Sequence, residues 1–340
     1  MGLAKALRDA DFAAGILRRR PFNVLVQVTN RCNMKCSFCD FWPNAAPRGE
    51  ELTLGDYQRV AGELDQMGCF IISIEGGEPF VRTDLVEIVR ALSKKHITLL
   101  YTNGWYVNAD NARALFDAGL THASVSIDYP DAERHDAKRK LKGATERAWR
   151  ALDHFLAAAP KTGARRVHVM TVIMDDNLGD LDRLFTMSDA RGAGHQVTLL
   201  SITGFRRGHS SEDQMPPPNV SAPLLELWRK HTHLGFFREY FERMDAFLSG
   251  GPMPTCGAGD QSFNIDHVGN VSPCIERIDW SFGNVKTASL REIHARMKSE
   301  AAAEVSSCQR CWTACRGMSQ ALSNGGSARA LYDLATRMKS

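Results

Sequence analysis

From Pro21 to about Thr203, short apolar runs alternate with stretches whose apolar positions recur every three to four residues, the pattern of strands followed by helices. Six strands are predicted, at roughly 23–29, 70–75, 97–101, 122–127, 167–173 and 196–202. Helices are predicted between them near 54–67, 82–95, 109–118, 143–158 and 179–191. Strands separated by single helices predict parallel βα units and an α/β fold. Ahead of this array, residues 3–19 place Leu3, Leu7, Ala10, Ala14 and Leu17 on one side of an amphipathic helix. It is expected to pack on the outer surface, with contact of its basic end with a membrane as the alternative. After the array the rhythm stops. Gly204 to His209 leads through Pro216-Pro217-Pro218 into a helical stretch from about 222 to 248. There Trp228, Phe236, Phe237, Tyr240, Phe241 and Phe247 fall largely at helical spacings, so core packing is expected, with a lid or substrate wall as the alternative. Residues 262–271 read as a hairpin with its alternation broken at Gly269. The chain thus divides into an N-terminal helix (1–20), the βα array (21–204), a linker and helix (205–250), a cysteine-rich segment (251–320) and a C-terminal helix (321–340).

Composition sharpens this outline. Of 340 residues 44% are apolar and 24% charged, which suits a compact core and argues against extended disorder. The formal net charge of +3 is small and scattered apart from Arg18-Arg19-Arg20, so no nucleic-acid footprint is expected. No apolar run reaches the roughly 18 residues of a membrane span, and the N-terminus lacks a signal-peptide core, so a cytoplasmic location is expected. Nine cysteines fall at 32, 36, 39, 69, 256, 274, 308, 311 and 315, with one cluster near each end. In a long chain without a signal they read as metal ligands rather than disulfides. Cys69, ahead of the second strand, is expected to be a buried small hydrophobe.

The first cluster, Cys32-Asn33-Met34-Lys35-Cys36-Ser37-Phe38-Cys39, directly follows the first strand, at the end where parallel barrels carry their functional loops. Three soft thiolates suit zinc, copper(I) or an iron–sulfur cluster. No fourth ligand is near, since the first histidine is His96. The spacing C-x3-C-x2-C with Phe38 before the last cysteine resembles the radical S-adenosylmethionine (SAM) superfamily. That resemblance implies a [4Fe–4S] cluster on Cys32, Cys36 and Cys39, with SAM chelated by the iron that no cysteine holds. The second strand ends in Glu75-Gly76-Gly77-Glu78-Pro79, where glycines allow close approach and a carboxylate can accept from an amine. This stretch looks like the superfamily's GGEP motif, which implies that Gly76, Gly77, Glu78 and Pro79 hold the amino group of SAM. Thr102-Asn103-Gly104 ends the third strand, and Ser124, Ser126 and Asp128 share one face at the end of the fourth. Asn103, Ser126 and Asp128 resemble the family's ribose and carboxylate contacts. Asp128 could equally touch substrate, and Thr171 and Asn177 are similar candidates.

In the second cluster, the C-x12-G-x4-C of Cys256, Gly269 and Cys274 is followed by Cys308-Gln309-Arg310-Cys311 and then Cys315. The arrangement resembles the SPASM/twitch extensions of radical SAM enzymes, and is similar to 2-deoxy-scyllo-inosamine dehydrogenase and related sugar epimerases. It implies a partial (β/α)6 TIM-like barrel with a small C-terminal Fe–S domain that binds one auxiliary [4Fe–4S] cluster. Cys315 is one thiol more than that cluster needs. It is read as a replacement ligand for Cys308 or Cys311, as a buried structural thiol, or as a hydrogen-atom donor to a substrate radical. The resulting expectation is an oxidoreductase or epimerase in which a 5′-deoxyadenosyl radical abstracts hydrogen from a small polar metabolite such as a sugar or cyclitol. An external one-electron reductant of flavodoxin or ferredoxin type is expected. A peptide-modifying maturase is the first alternative. The 31 residues ahead of Cys32 leave no room for a leader-recognition domain, which favours the small molecule. A non-catalytic Fe–S or zinc protein is the second alternative.

Overall fold

The computed structural model describes residues 2–161, 164–201, 214–322 and 328–337. Six parallel strands, β1 (Asn23–Thr29), β2 (Ile71–Gly76), β3 (Ile97–Thr102), β4 (His122–Ser126), β5 (Val167–Ile173) and β6 (Gly194–Leu199), lie side by side in chain order. This is the partial barrel. Beyond the other edge of β1 the sheet continues with β7 (Ser262–Ile265), which is parallel to β1 from Asn23↔Ser262 to Val26↔Ile265. β8 (Val271–Ser272) then pairs antiparallel with β7. The predicted hairpin therefore extends the barrel sheet itself.

The helices are α1 (Gly2–Leu17), α2 (Leu54–Met67), α3 (Leu85–Leu92), α4 (Ala109–Asp117), α5 (Ala132–Arg139), α6 (Ala144–Ala158), α7 (Leu181–Asp189), α8 (Ser221–Lys230), α9 (Arg238–Glu242), α10 (Met244–Leu248), α11 (Leu290–Ser306), α12 (Ala314–Leu322) and α13 (Ala328–Arg337). Local chemistry starts several of them. Capping boxes pair Thr53 with Asp56 at α2, Asn108 with Asn111 at α4 and Ser289 with Glu292 at α11. Strand periodicity then sorts the side chains. Val24, Val26, Val28, Ile72 and Ile74 turn outward into a core with α2, α3 and α11, while Leu25, Ser73 and Glu75 turn into the barrel.

The structure departs from the sequence-based expectation in three places. Residues 222–248 form three short helices, because the segment after α8 leaves the helix to cover the free edge of β6. There His195 N–H donates to the His233 carbonyl and Gly235 N–H to that of His195. Neither α5 nor α11 is among the predicted helices. α13 falls within the segment expected as a C-terminal helix, and α1, expected on the outer surface, lies against the strands' starting ends, where Arg20 bonds Asp11 and Lys95 pairs with Asp11. The linker positions Gly204 to His209 lie outside the described residues. No described helix is long and apolar enough to cross a membrane.

Candidate functional site

A cavity of about 560 Å³ occupies the barrel interior. Cys32, Cys36 and Cys39 line its upper end with Phe38, Gly76 and Gly77. The loop is held there by the end of β2. Gly77 N–H donates to the Thr29 carbonyl at 2.7 Å and Glu78 N–H to that of Arg31 at 2.9 Å. A Cβ on Gly76 would stand 2.1 Å from the Thr29 oxygen, and one on Gly77 2.3 Å from that of Arg31, so only glycine permits this approach. A buried ion pair supports it from behind: Glu51 accepts from Arg31, at 2.9 Å and 3.1 Å, and from Thr29 at 2.5 Å.

Burial, and next Glu78, pushes the Cys32 thiol up to about 12. Burial raises Cys36 to about 11, against the pull of Arg139. Such thiols keep their protons until a metal's positive charge replaces them. Asn103 donates to Asn33 at 2.9 Å and to Cys32 Sγ at 3.8 Å, and Met34 N–H reaches the same sulfur at 3.4 Å. The donor set, three soft sulfurs with N–H groups aimed at one of them, fits an iron–sulfur cluster. Among the described residues no three His, Cys, Asp or Glu side chains are grouped to hold one metal ion.

The remaining predicted residues divide. Asn103 and Ser126 line the cavity, as does Glu75. Glu78 is fully buried beside it: Thr102 Oγ1 (2.8 Å), Phe80 N–H (3.0 Å) and Asn103 N–H (2.7 Å) all donate to its carboxylate. Burial nevertheless raises it to about 7. Pro79 is buried next to it. Asp128 is buried too, accepting from Arg139 at 2.6 and 2.9 Å and from Val172 N–H at 2.9 Å. Arg139 was not anticipated. It lines the cavity with its guanidinium 5.4 Å from the Phe38 ring centre, and Asp128 keeps it charged despite burial. The run Ala132 to Lys140, with Asp131 as N-cap, was the available signal. Asn177 ties the carbonyls of Asp128 and Val172, and Thr171 faces outward to His195.

A second cavity, of about 230 Å³, is lined by Cys256, Cys274, Cys308, Cys311 and Cys315. Burial raises the thiols of Cys256, Cys274 and Cys311. Arg316, also not anticipated, pins the C-x2-C loop by donating to the carbonyls of Cys308, Cys311 and Pro254 at 2.8 to 3.0 Å. Trp312 stacks on Tyr240 and donates to its carbonyl at 2.8 Å. Tyr240 O–H in turn donates to the Trp312 carbonyl and accepts from Leu199 N–H, which fastens the loop to β6. Cys315 lines both cavities. With Thr313, Phe236, Phe237, Met318 and Leu322 it closes the side of the barrel that strands leave open. The aromatic segment thus serves both as packing and as wall. Cys69 is buried, with its thiol 3.2 Å from the Lys95 carbonyl.

Residues 26–187 match the Radical SAM superfamily, and residues 256–313 match SPASM, an iron–sulfur cluster-binding domain. A mycofactocin maturase of Mycobacterium ulcerans is 31% identical over 276 residues, covering 78% of this chain and 72% of the relative. An AdoMet-dependent heme synthase of Oleidesulfovibrio alaskensis is 31% identical over 206 residues, covering 60% of this chain and 50% of the relative. The crystal structure of Streptococcus suis SuiB bound to the precursor peptide SuiA superposes with a TM-score of 0.67 at 16% identity, covering 89% of this chain and 72% of that one. The chain belongs to the radical SAM superfamily and carries a SPASM domain. That membership implies SAM with a [4Fe–4S] cluster, and auxiliary iron–sulfur ligation in the SPASM domain.

Proposed function

We propose, from that membership, that this enzyme modifies a peptide at an apolar side chain. The observation that carries the reading is the make-up of the barrel cavity. Below the cysteine loop its walls are mostly apolar, with Ile71, Ile97 and Leu99 on the strands and Phe237, Met318 and Leu322 from later segments, and with Ser73, Gln196 and Thr198 as polar breaks among them. A sugar or cyclitol presents hydroxyls on every side and loses hydrogen bonds against such walls, whereas a hydrocarbon side chain gains by burial. The small polar metabolite expected from the sequence is therefore the second reading. The similarity to a maturase over most of that relative's length supports the first.

When bound, the cluster and SAM supply a 5′-deoxyadenosyl radical that can take hydrogen from an unactivated carbon. The chain's own residues place the parts. Cys32, Cys36 and Cys39 hold the cluster, and Phe38 shields it from water. Gly76 and Gly77 leave room for the methionine end of SAM, and Glu75 accepts from its amine. Arg139, aimed by Asp128, meets its carboxylate. Asn103 and Ser126 meet the ribose. Glu78 and Pro79 set the shape of the turn. Cys256, Cys274, Cys308 and Cys311 complete one auxiliary cluster. Cys315 faces the substrate as a hydrogen-atom donor: its S–H hydrogen goes to the carbon radical, and the thiyl left behind takes one electron and one proton from the external reductant and solvent.

The test uses anaerobically reconstituted protein with SAM and dithionite, offered the short peptides encoded beside its gene and, separately, a panel of sugars and cyclitols. Peptide is expected to raise 5′-deoxyadenosine formation about tenfold or more over the uncoupled rate and to change mass itself. Stimulation by the polyols alone overturns the peptide reading, and no 5′-deoxyadenosine under any condition overturns the radical one.

A further inference from the structure

Arg316, in the first turn of α12, is 5% exposed and borders the cavity of the second cysteine group. Three of its five N–H donors hold it in place: Nη1 donates to the Cys311 carbonyl at 2.9 Å, and Nη2 to those of Pro254 at 2.8 Å and Cys308 at 3.0 Å. These acceptors lie on both arms that bring cysteines to the cavity, the segment leading to Cys256 and the C-x2-C loop. All three are neutral. Nε, by contrast, has no acceptor and is sealed from solvent. A buried donor left unmade costs about 1–3 kcal/mol, and more on a charged group. A fork fixed this firmly with its Nε–H idle implies an acceptor that the polypeptide does not supply. The thiols are the groups beside it. At Cys256 the guanidinium is the first influence to oppose burial, and it acts in the same direction on Cys311. The other charged residues on this cavity have different parts. Glu276 works against ionisation of Cys274 and Cys311, Arg277 is committed to Glu304 and Asp279, and Arg310 lines the C-x2-C loop.

We propose that Arg316 sets the reduction potential of the auxiliary cluster: its Nε–H donates to a ligating sulfur, that of Cys256 or Cys311, and its charge offsets the negative charge that one-electron reduction adds. Both effects favour the reduced state, so the residue raises the potential, and a cluster so tuned takes up an electron more readily. The proposal rests on the reading of this cavity as a cluster site and holds whether the substrate is a peptide or a polyol.

Redox titration of the anaerobically reconstituted full-length protein with dithionite, followed by electron paramagnetic resonance, tests it. The auxiliary cluster is the reduced-state signal that added SAM leaves unchanged. In Arg316→Gln with the iron content of wild type, the equilibrium constant for its one-electron reduction should fall about tenfold or more, a potential lower by about 59 mV or more, while the SAM-sensitive signal keeps its potential. Arg316→Lys should recover part of the difference. An auxiliary potential equal to that of wild type in both variants overturns the proposal. Where a variant loses its iron, wild type decides alone: protein grown with nitrogen-15 arginine should show a nitrogen-15 coupling in pulsed resonance of the auxiliary signal, and Arg277→Lys and Arg310→Lys should keep it. Absence of that coupling in wild type, or its loss in Arg310→Lys, overturns Arg316 as the donor. Protein that cleaves SAM but has no SAM-insensitive cluster signal strikes the cluster reading of the cavity itself, a result distinct from an unmoved potential.

Discussion

Glu78 shows how a motif residue can serve a site without lining it. Three donors converge on its carboxylate, yet burial dominates and raises it from 4.5 to about 7. Its folded value lies above the unfolded one, so folding takes up a proton between pH about 4.5 and about 7. Stability from this group is therefore full below the window and falls as pH rises through it, by on the order of 3 kcal/mol. In urea denaturation at pH 5 and pH 8, Glu78→Gln should remove that part of the pH dependence. An unchanged difference between wild type and variant across the two pH values would show that the carboxyl does not titrate in the window. The cysteines and the two glycines were legible as letters because their chemistry has few substitutes. Arg139 was not: it reads as one member of a basic run, and only its partner Asp128, eleven residues earlier, selects it.

Elements decide which predicted residues meet. α12 begins at Ala314, where its N–H donates to Thr198 on β6, and this start turns Cys315 towards the barrel. If Cys315 delivers hydrogen, a reaction in deuterated water should place deuterium in the product of wild type and none in that of Cys315→Ala, as read by mass spectrometry. Lack of label in wild type would refute the donor role. The βα array was legible because each strand and helix carries its own period. The break between α8 and α9 was not, because the edge of β6 competes for a segment whose spacing alone favours a continuous helix. α11 had a visible signal in Ser289, Glu292 and the spacing of Leu290, Ile293 and Met297.

At the scale of the whole molecule, two cysteine-lined cavities adjoin one sheet. Replacing Cys32, Cys36 and Cys39 together by Ala should halve the iron of reconstituted protein, from about eight to about four atoms per chain, and abolish SAM cleavage. Complete loss of iron from a folded variant would contradict independent sites. Two sites were legible from cysteine spacing, but their closeness was not, since parallel pairing of β1 with β7 joins residues about 240 apart in sequence. That pairing also orders events during synthesis. β1 and its cysteine loop emerge first, but β1 lacks a neighbour on one edge until residue 265 has been made, and the barrel lacks its side wall until residue 322. Contacts so distant close slowly. The cysteine loop after β1 is thus among the last parts to be seated, and iron delivered before residues 262–322 have packed would meet three thiols without the cavity that encloses them.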